Sequence, residues 1–110
     1  KKLDNYLKRK RLLTKKYFTV FKDSNYFEFY IEPKNSKSNY WFQTIILKRK
    51  YKSHKNYILK YLNKKGISCR PAWSTLHKLS FCKNLPRMNL SVTEDLHDRI
   101  INIPSSPNLV

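Results

Sequence analysis

Three groups of residues in this chain have side chains that do chemistry, and their spacing separates them. Cys69, His77 and Cys82 are soft ligands, but Cys-x7-His-x4-Cys fits no common zinc pattern and no fourth ligand accompanies it. They read as buried thiols and a hydrogen-bonded histidine, so no metal is expected. A Cys82–His77 nucleophile pair has no third group to orient it. Glu94, Asp95 and Asp98 are the only clustered carboxylates. They fall in the first two turns of an expected helix, where negative charge suits the helix dipole, and no catalytic residue is assigned to them. The third group is different in kind. Asn39-Tyr40-Trp41 opens a strand with an amide beside a large ring, and Arg70-Pro71-Ala72-Trp73 leaves a strand, followed by Leu76-His77. Arginine pairs with phosphate or carboxylate, tryptophan lies against a sugar or base, and histidine donates a hydrogen bond. Asn39, Trp41, Arg70, Trp73 and His77 are therefore candidates for an anionic, ringed ligand. Trp41 and Trp73 are equally readable as core residues. Arg70, beside a proline-stopped strand, has less of a packing role.

These residues must be positioned by short elements. Leu3 to about Lys22 predicts one amphipathic helix, with Leu3, Tyr6, Leu7, Leu13, Tyr17, Val20 and Phe21 near three-and-four spacing. Asp23-Ser24-Asn25 stops it. Tyr26–Ile31 predicts a short strand, and Glu32–Ser38 a polar loop. Asn39–Lys48 is apolar on both faces, as expected of a strand covered on two sides or lying at a domain interface. Ser53 is placed to cap a helix over His54–Lys65, buried through Ile58, Tyr61 and Leu62, with Gly66 as its left-handed terminus. Ile67–Arg70 predicts a strand ended by Pro71. Ala72–Asn89 is irregular, with a short helix around Thr75–Cys82. Ser91-Val92-Thr93-Glu94 has the capping-box pattern, opening a helix that runs to about Arg99 on Val92 and Leu96. Ile100–Ile103 closes the series as a strand. Helix and strand alternate without repeats, which means α/β or α+β: a short sheet flanked by helices.

Composition narrows the class. The chain has 110 residues, 40% hydrophobic and 15% aromatic, so it reads as one globular domain. No apolar run approaches the roughly 20 residues of a membrane helix. Two cysteines make no disulfide framework and suggest reduced thiols in a cytoplasmic setting. The net charge is +17, and no carboxylate lies between Pro33 and Thr93. Such a field attracts nucleic acid, so a basic nucleic-acid-binding module is the alternative reading, with lysines for phosphates and rings for stacking. Against it, the lysines are spread over every element. A Lys, Asn, Ile, Tyr and Phe-rich composition with one glycine also matches an AT-rich coding bias. The first helix starts with no cap and little to pack against, as in a domain that continues a longer protein.

Taken in order, Ser38-Asn39-Tyr40-Trp41, Gly66-Ile67, Arg70-Pro71-x-Trp73, Leu76-His77 and Ile101-Asn102-Ile103-Pro104-Ser105-Ser106 resemble the C-terminal domain of the PLP-dependent sugar aminotransferases of the DegT/StrS type. Lys10-Arg11 followed by Tyr17 is similar to that family's linker helix. The resemblance is nearest to enzymes that aminate UDP-linked 4-keto sugars for legionaminic-acid-like surface glycans. It implies the small C-terminal domain of a fold type I transferase, with residues 1–24 a linker helix and residues 25–110 the small domain. It further implies a homodimeric, cytoplasmic parent enzyme with sites at the subunit interface. PLP and its Schiff-base lysine would sit in an N-terminal domain absent from this chain, which alone would be inactive. Transamination would be ping-pong, from an amino-acid donor, usually glutamate, to a nucleotide-sugar substrate. The resemblance carries Asn39, Trp41, Arg70, Trp73 and His77 over as substrate-binding residues.

Overall fold

A computed structural model describes residues 2–110. Helix α1 spans Lys2–Phe21, strand β1 Phe27–Phe29 and strand β2 Gln43–Leu47. A 3-10 segment, Arg49–His54, leads into α2 (Lys55–Lys64), followed by β3 (Arg70–Pro71), α3 (Ser91–His97) and β4 (Ile100–Ile103). The strands form one sheet in the order β1-β2-β4-β3, antiparallel throughout. This is the expected short sheet with helices, in its α+β form. β4, last in sequence, lies between β2 and β3, with Ile45 opposite Ile101 and Arg70 opposite Asn102.

Alternation decides which face is buried. Gln43, Ile45 and Leu47 are buried while Thr44 and Ile46 are half-buried, so only one face of β2 is fully covered. Full cover on both sides is thus not met within this chain, and on the half-buried face the Thr44 hydroxyl donates to Asn102 Oδ1 at 2.9 Å across the strands. The core is Phe29, Ile45, Leu47, Cys69 and Ile101, with Tyr17, Phe21, Phe27, Ile58, Leu59, Leu62 and Ile103 packed against it. Tyr17 and Phe21 stack at 5.5 Å, and Phe21 meets Phe27 edge-on at 5.2 Å.

The stripe of α1 does find partners within the chain. Leu13 and Thr14 are buried, and the Tyr17 hydroxyl donates to the carbonyl of Pro104 at 3.1 Å. Gln43 supplies a polar pin: its amide donates to the Thr14 hydroxyl at 2.9 Å inside the core. Leu3, Tyr6 and Val20, by contrast, are exposed, so only part of the stripe is covered.

The helix starts differ from the sequence expectation, whereas the one predicted glycine terminus follows it. The α2 terminus is as predicted: Gly66 has φ +79, its N–H reaches Asn63 O at 3.0 Å, and Ile67 N–H reaches Leu62 O at 3.0 Å. That is the paired bonding of a Schellman motif. At its start, however, Ser53 does not cap, because the preceding 3-10 turns already supply helical geometry. Ser91 does not cap α3 either. It is the first helical residue, its N–H bonds to Asn89 Oδ1 at 2.9 Å, and Glu94 turns to His77 instead of back to the helix start. Val92 is exposed, and Arg99 rather than an apolar stripe ties α3 to the sheet, reaching Asp95 at 2.7 Å and Leu47 O at 2.8 Å. β3 is confined to Arg70–Pro71, so the strand does end at Pro71 but Ile67–Cys69 stays outside it, and Thr75–Cys82 contains two 3-10 turns in place of one helix.

Candidate functional site

The Asn39–Phe42 and Arg70–Trp73 segments meet at one place on the surface. Trp41 stacks on Phe42 at 5.2 Å, Phe42 meets Trp73 at 5.5 Å and Trp41 meets Trp73 at 6.3 Å, the last two edge-on. Trp41 is 64% and Trp73 75% exposed. Neither indole is a core residue, so the packing reading open at the sequence level falls away. Asn39 Oδ1 accepts from Trp41 N–H at 3.0 Å, an Asx turn that leaves the amide Nδ2 free to donate outward. Arg70 is exposed in β3, and its guanidinium makes no hydrogen bond or ion pair among the described residues. Beside Trp41 and Phe42 a cleft of about 390 Å³ is bounded by Tyr30, Glu32, Ser38, Asn39 and Thr44.

His77 is placed elsewhere. Its Nε2 lies 2.8 Å from Glu94 Oε1, its side chain is largely covered, and it borders a second pocket with Leu76, Cys82, Leu85 and Pro86. Thus Trp41 and Trp73 are brought together, Asn39 adjoins Trp41, Arg70 leads into the segment ending at Trp73, and His77 lines a separate cavity. Cys69 is buried in the core, where loss of solvent pushes its thiol pKa up. Among the described residues no three His, Cys, Asp or Glu side chains group as a metal ion requires.

The residues that hold this surface were not singled out by the motif reading. Tyr40, between Asn39 and Trp41, has φ +47, a left-handed conformation that costs a bulky residue roughly 1–3 kcal/mol. Its ring is buried, its hydroxyl accepts from Glu32 N–H at 3.2 Å, and the Arg11 guanidinium lies 5.3 Å over it. Glu32 pairs with Arg11 and accepts from Ser38 N–H, and these bonds hold its carboxyl below the usual range, the backbone N–H foremost. Only the Lys10-Arg11 pair carried a sequence signal. Tyr40 lies within the Ser38–Trp41 motif without a role of its own there, and Glu32 carried no signal, because their roles arise from contacts across the fold.

The whole chain, residues 1–110, matches the model of the DegT/DnrJ/EryC1/StrS aminotransferase family. The chain belongs to this family. Among solved structures it is similar to Helicobacter pylori PseC, an aminotransferase involved in the biosynthesis of pseudoaminic acid. The TM-score is 0.85 and identity 24%, over 94% of this chain and 28% of PseC. TlmJ, an aminotransferase from Streptoalloteichus hindustanus, gives 0.81 at 16% identity, covering 94% of this chain and 27% of that one. The sugar aminotransferase CalS13 from Micromonospora echinospora gives 0.80 at 16%, with the same coverages. No curated protein sequence matches. At these identities the structures share the fold, and the chain spans little more than a quarter of their lengths.

The family implies pyridoxal phosphate, which requires a free amine over a phosphate cradle. Burial lowers the pKa of Lys10 and Lys55, but both amines donate to backbone carbonyls, Lys55 to His97 O at 2.5 Å. A Cβ on Gly66, the only glycine, would meet nothing within 4 Å, so it lines no cradle. Neither the two buried amines nor Gly66 offers the free amine or the cradle that the cofactor needs, and no step through it is derived from this chain.

Proposed function

We propose that this chain is the C-terminal, substrate-side part of a PLP-dependent aminotransferase that delivers an amino group to a nucleotide-linked 4-keto sugar for surface polysaccharide biosynthesis. The observation that carries the reading is the exposed Trp41–Phe42–Trp73 cluster in a chain of this family, flanked by Asn39 and an unpaired Arg70. In this reading the rings take the base or sugar face, Arg70 meets the diphosphate, and Asn39 Nδ2 donates to a ligand oxygen. His77, held by Glu94, bounds the second pocket and is the remaining substrate-side candidate. PLP is held by another part of the parent enzyme, a cytoplasmic homodimer, so this chain alone is inactive. Residues 1–24 are its linker and residues 25–110 its small domain.

The test is a titration of the 110-residue chain with uridine diphosphate and UDP-N-acetylglucosamine, read by tryptophan emission. Saturable quenching is expected, weakened about ten-fold by Arg70→Ala and by Trp73→Ala, in line with one charge-assisted bond or one ring stack. No saturable change up to about 10 mM ligand would overturn the reading. If random duplex DNA quenches instead, and does so at about 0.15 M salt, the basic nucleic-acid-binding module takes its place.

A further inference from the structure

We infer that Lys10 and Arg11 act as a two-residue clamp that sets the strap of residues 32–41, and through it the placement of Asn39 and Trp41 against Trp73. Neighbours on a helix point about 100° apart, so consecutive basic residues can grip two ends of one loop. Arg11 takes the front end: it pairs with Glu32, and its Nη1 donates to Ser38 O at 2.6 Å. Lys10 takes the rear. Its ammonium points at three carbonyls, Ser105 at 2.8 Å, Trp41 at 3.2 Å and Tyr40 at 3.3 Å, matching the three donors it possesses. The Ser105 hydroxyl adds a second donor to Trp41 O at 2.7 Å. Lysine suits this post better than arginine, because a compact tetrahedral head meets three converging oxygens that a planar fork does not. The strap is strained at Tyr40, and such a conformation persists only where its surroundings over-determine it. These are positioning residues: they touch the backbone that carries Asn39 and Trp41, not a ligand.

That the clamp serves ligand binding rests on the proposed function; that it places Trp41 does not, and the test separates the two. The chain has only two tryptophans, so a Trp73→Phe background leaves Trp41 as sole reporter. Lys10→Met, which keeps the apolar stem, is expected to lower the limiting emission anisotropy of Trp41 in that background. In the wild-type background it is expected to remove at least about half of the near-ultraviolet dichroism from the coupled indoles. Lys16→Met, on an exposed position of the same helix, is expected to change neither. Lys10→Arg is expected to restore the signals only partly. Unchanged dichroism and anisotropy in a folded Lys10→Met protein would overturn the clamp. Should that variant fail to fold, Ser105→Ala, which removes one donor to Trp41 O and keeps the Lys10 charge, carries the same two readouts. The ligand arm repeats the uridine diphosphate titration, with a loss of about ten-fold expected for Lys10→Met. A spectral loss in a chain that binds no uridine diphosphate at all supports the clamp and removes the substrate reading.

Discussion

Asp98 shows how single charges tie this molecule to pH. Lys52 Nζ lies 2.8 Å from its Oδ2 and His97 Nδ1 3.2 Å from its Oδ1, and these bonds, the lysine's first, hold its pKa at about 2 against an ordinary 3.8. A carboxyl depressed on folding binds protons less readily in the native chain than in the unfolded one. Its contribution is therefore complete above about pH 4 and is lost as pH falls from there towards 2. Glu32 and Asp95 are shifted in the same direction, Asp95 chiefly by Arg99, so their contributions too are lost on acidification. Net repulsion grows in the same window as the 7 carboxylates neutralise under 24 Lys and Arg. The urea midpoint is expected to hold from pH 7 to about 4 and then fall, and Asp98→Asn is expected to flatten part of that fall. Equal slopes in wild type and Asp98→Asn below pH 4 would remove Asp98 from the account.

At the scale of elements, the end of α2 provides the cleanest test. Gly66 sits at φ +79, and a Cβ added there would meet no atom within 4 Å. Gly66→Ala therefore has no clash to relieve and isolates the backbone penalty of the left-handed conformation, about 1 kcal/mol. A fall in unfolding free energy of that size, with unchanged dichroism from the Trp41–Trp73 pair, is the expected result. A neutral substitution would mean that the Schellman bonds do not hold α2 to the Ile67–Cys69 segment. This terminus was legible in the sequence because a lone glycine after an apolar-periodic run has one steric reason to be there. α1, β1, β2 and β4 were legible for the same kind of local reason, periodicity. The capping box was not, since Glu94 had a choice between the α3 N-terminus and His77, which is 17 positions away in sequence. β3 ends at Pro71 as the proline implies, but pairing starts only at Arg70 and includes Pro71 itself, which is tolerated there because β3 is an edge strand, a property of the sheet. The same limit applies to the site. Asn39, Trp41 and Trp73 stood out by type, whereas Tyr40 and Glu32 gain their meaning from contacts with Arg11, Ser38 and each other.

For the whole molecule, shape and surface set apolar exposure against charge. The radius of gyration is 15.8 Å, against about 13 Å for a compact chain of this length, and the extents are 45 × 31 × 27 Å. The core is small and bordered by an open apolar groove of about 710 Å³, lined by Tyr17, Phe21, Phe27, Ile58, Leu62 and Cys69 among others. Leu3, Val20, Trp73, Phe81, Met88 and Val92 are largely exposed. Apolar surface on this scale favours association, and the charge of +17 opposes it at long range. Salt separates the two, because the screening length drops from about 10 Å at 0.1 M to about 3 Å at 1 M while apolar contacts are not screened. Sedimentation of the 110-residue chain is expected to show monomer at the lower salt and larger species at the higher. Thermal unfolding at the lower salt is expected to give a stability at or below the usual 5–15 kcal/mol range. Charge-driven self-assembly would give the opposite salt trend, dispersing at 1 M. A monomer at both salts with high stability would show that the exposed apolar groups are accommodated by this chain alone.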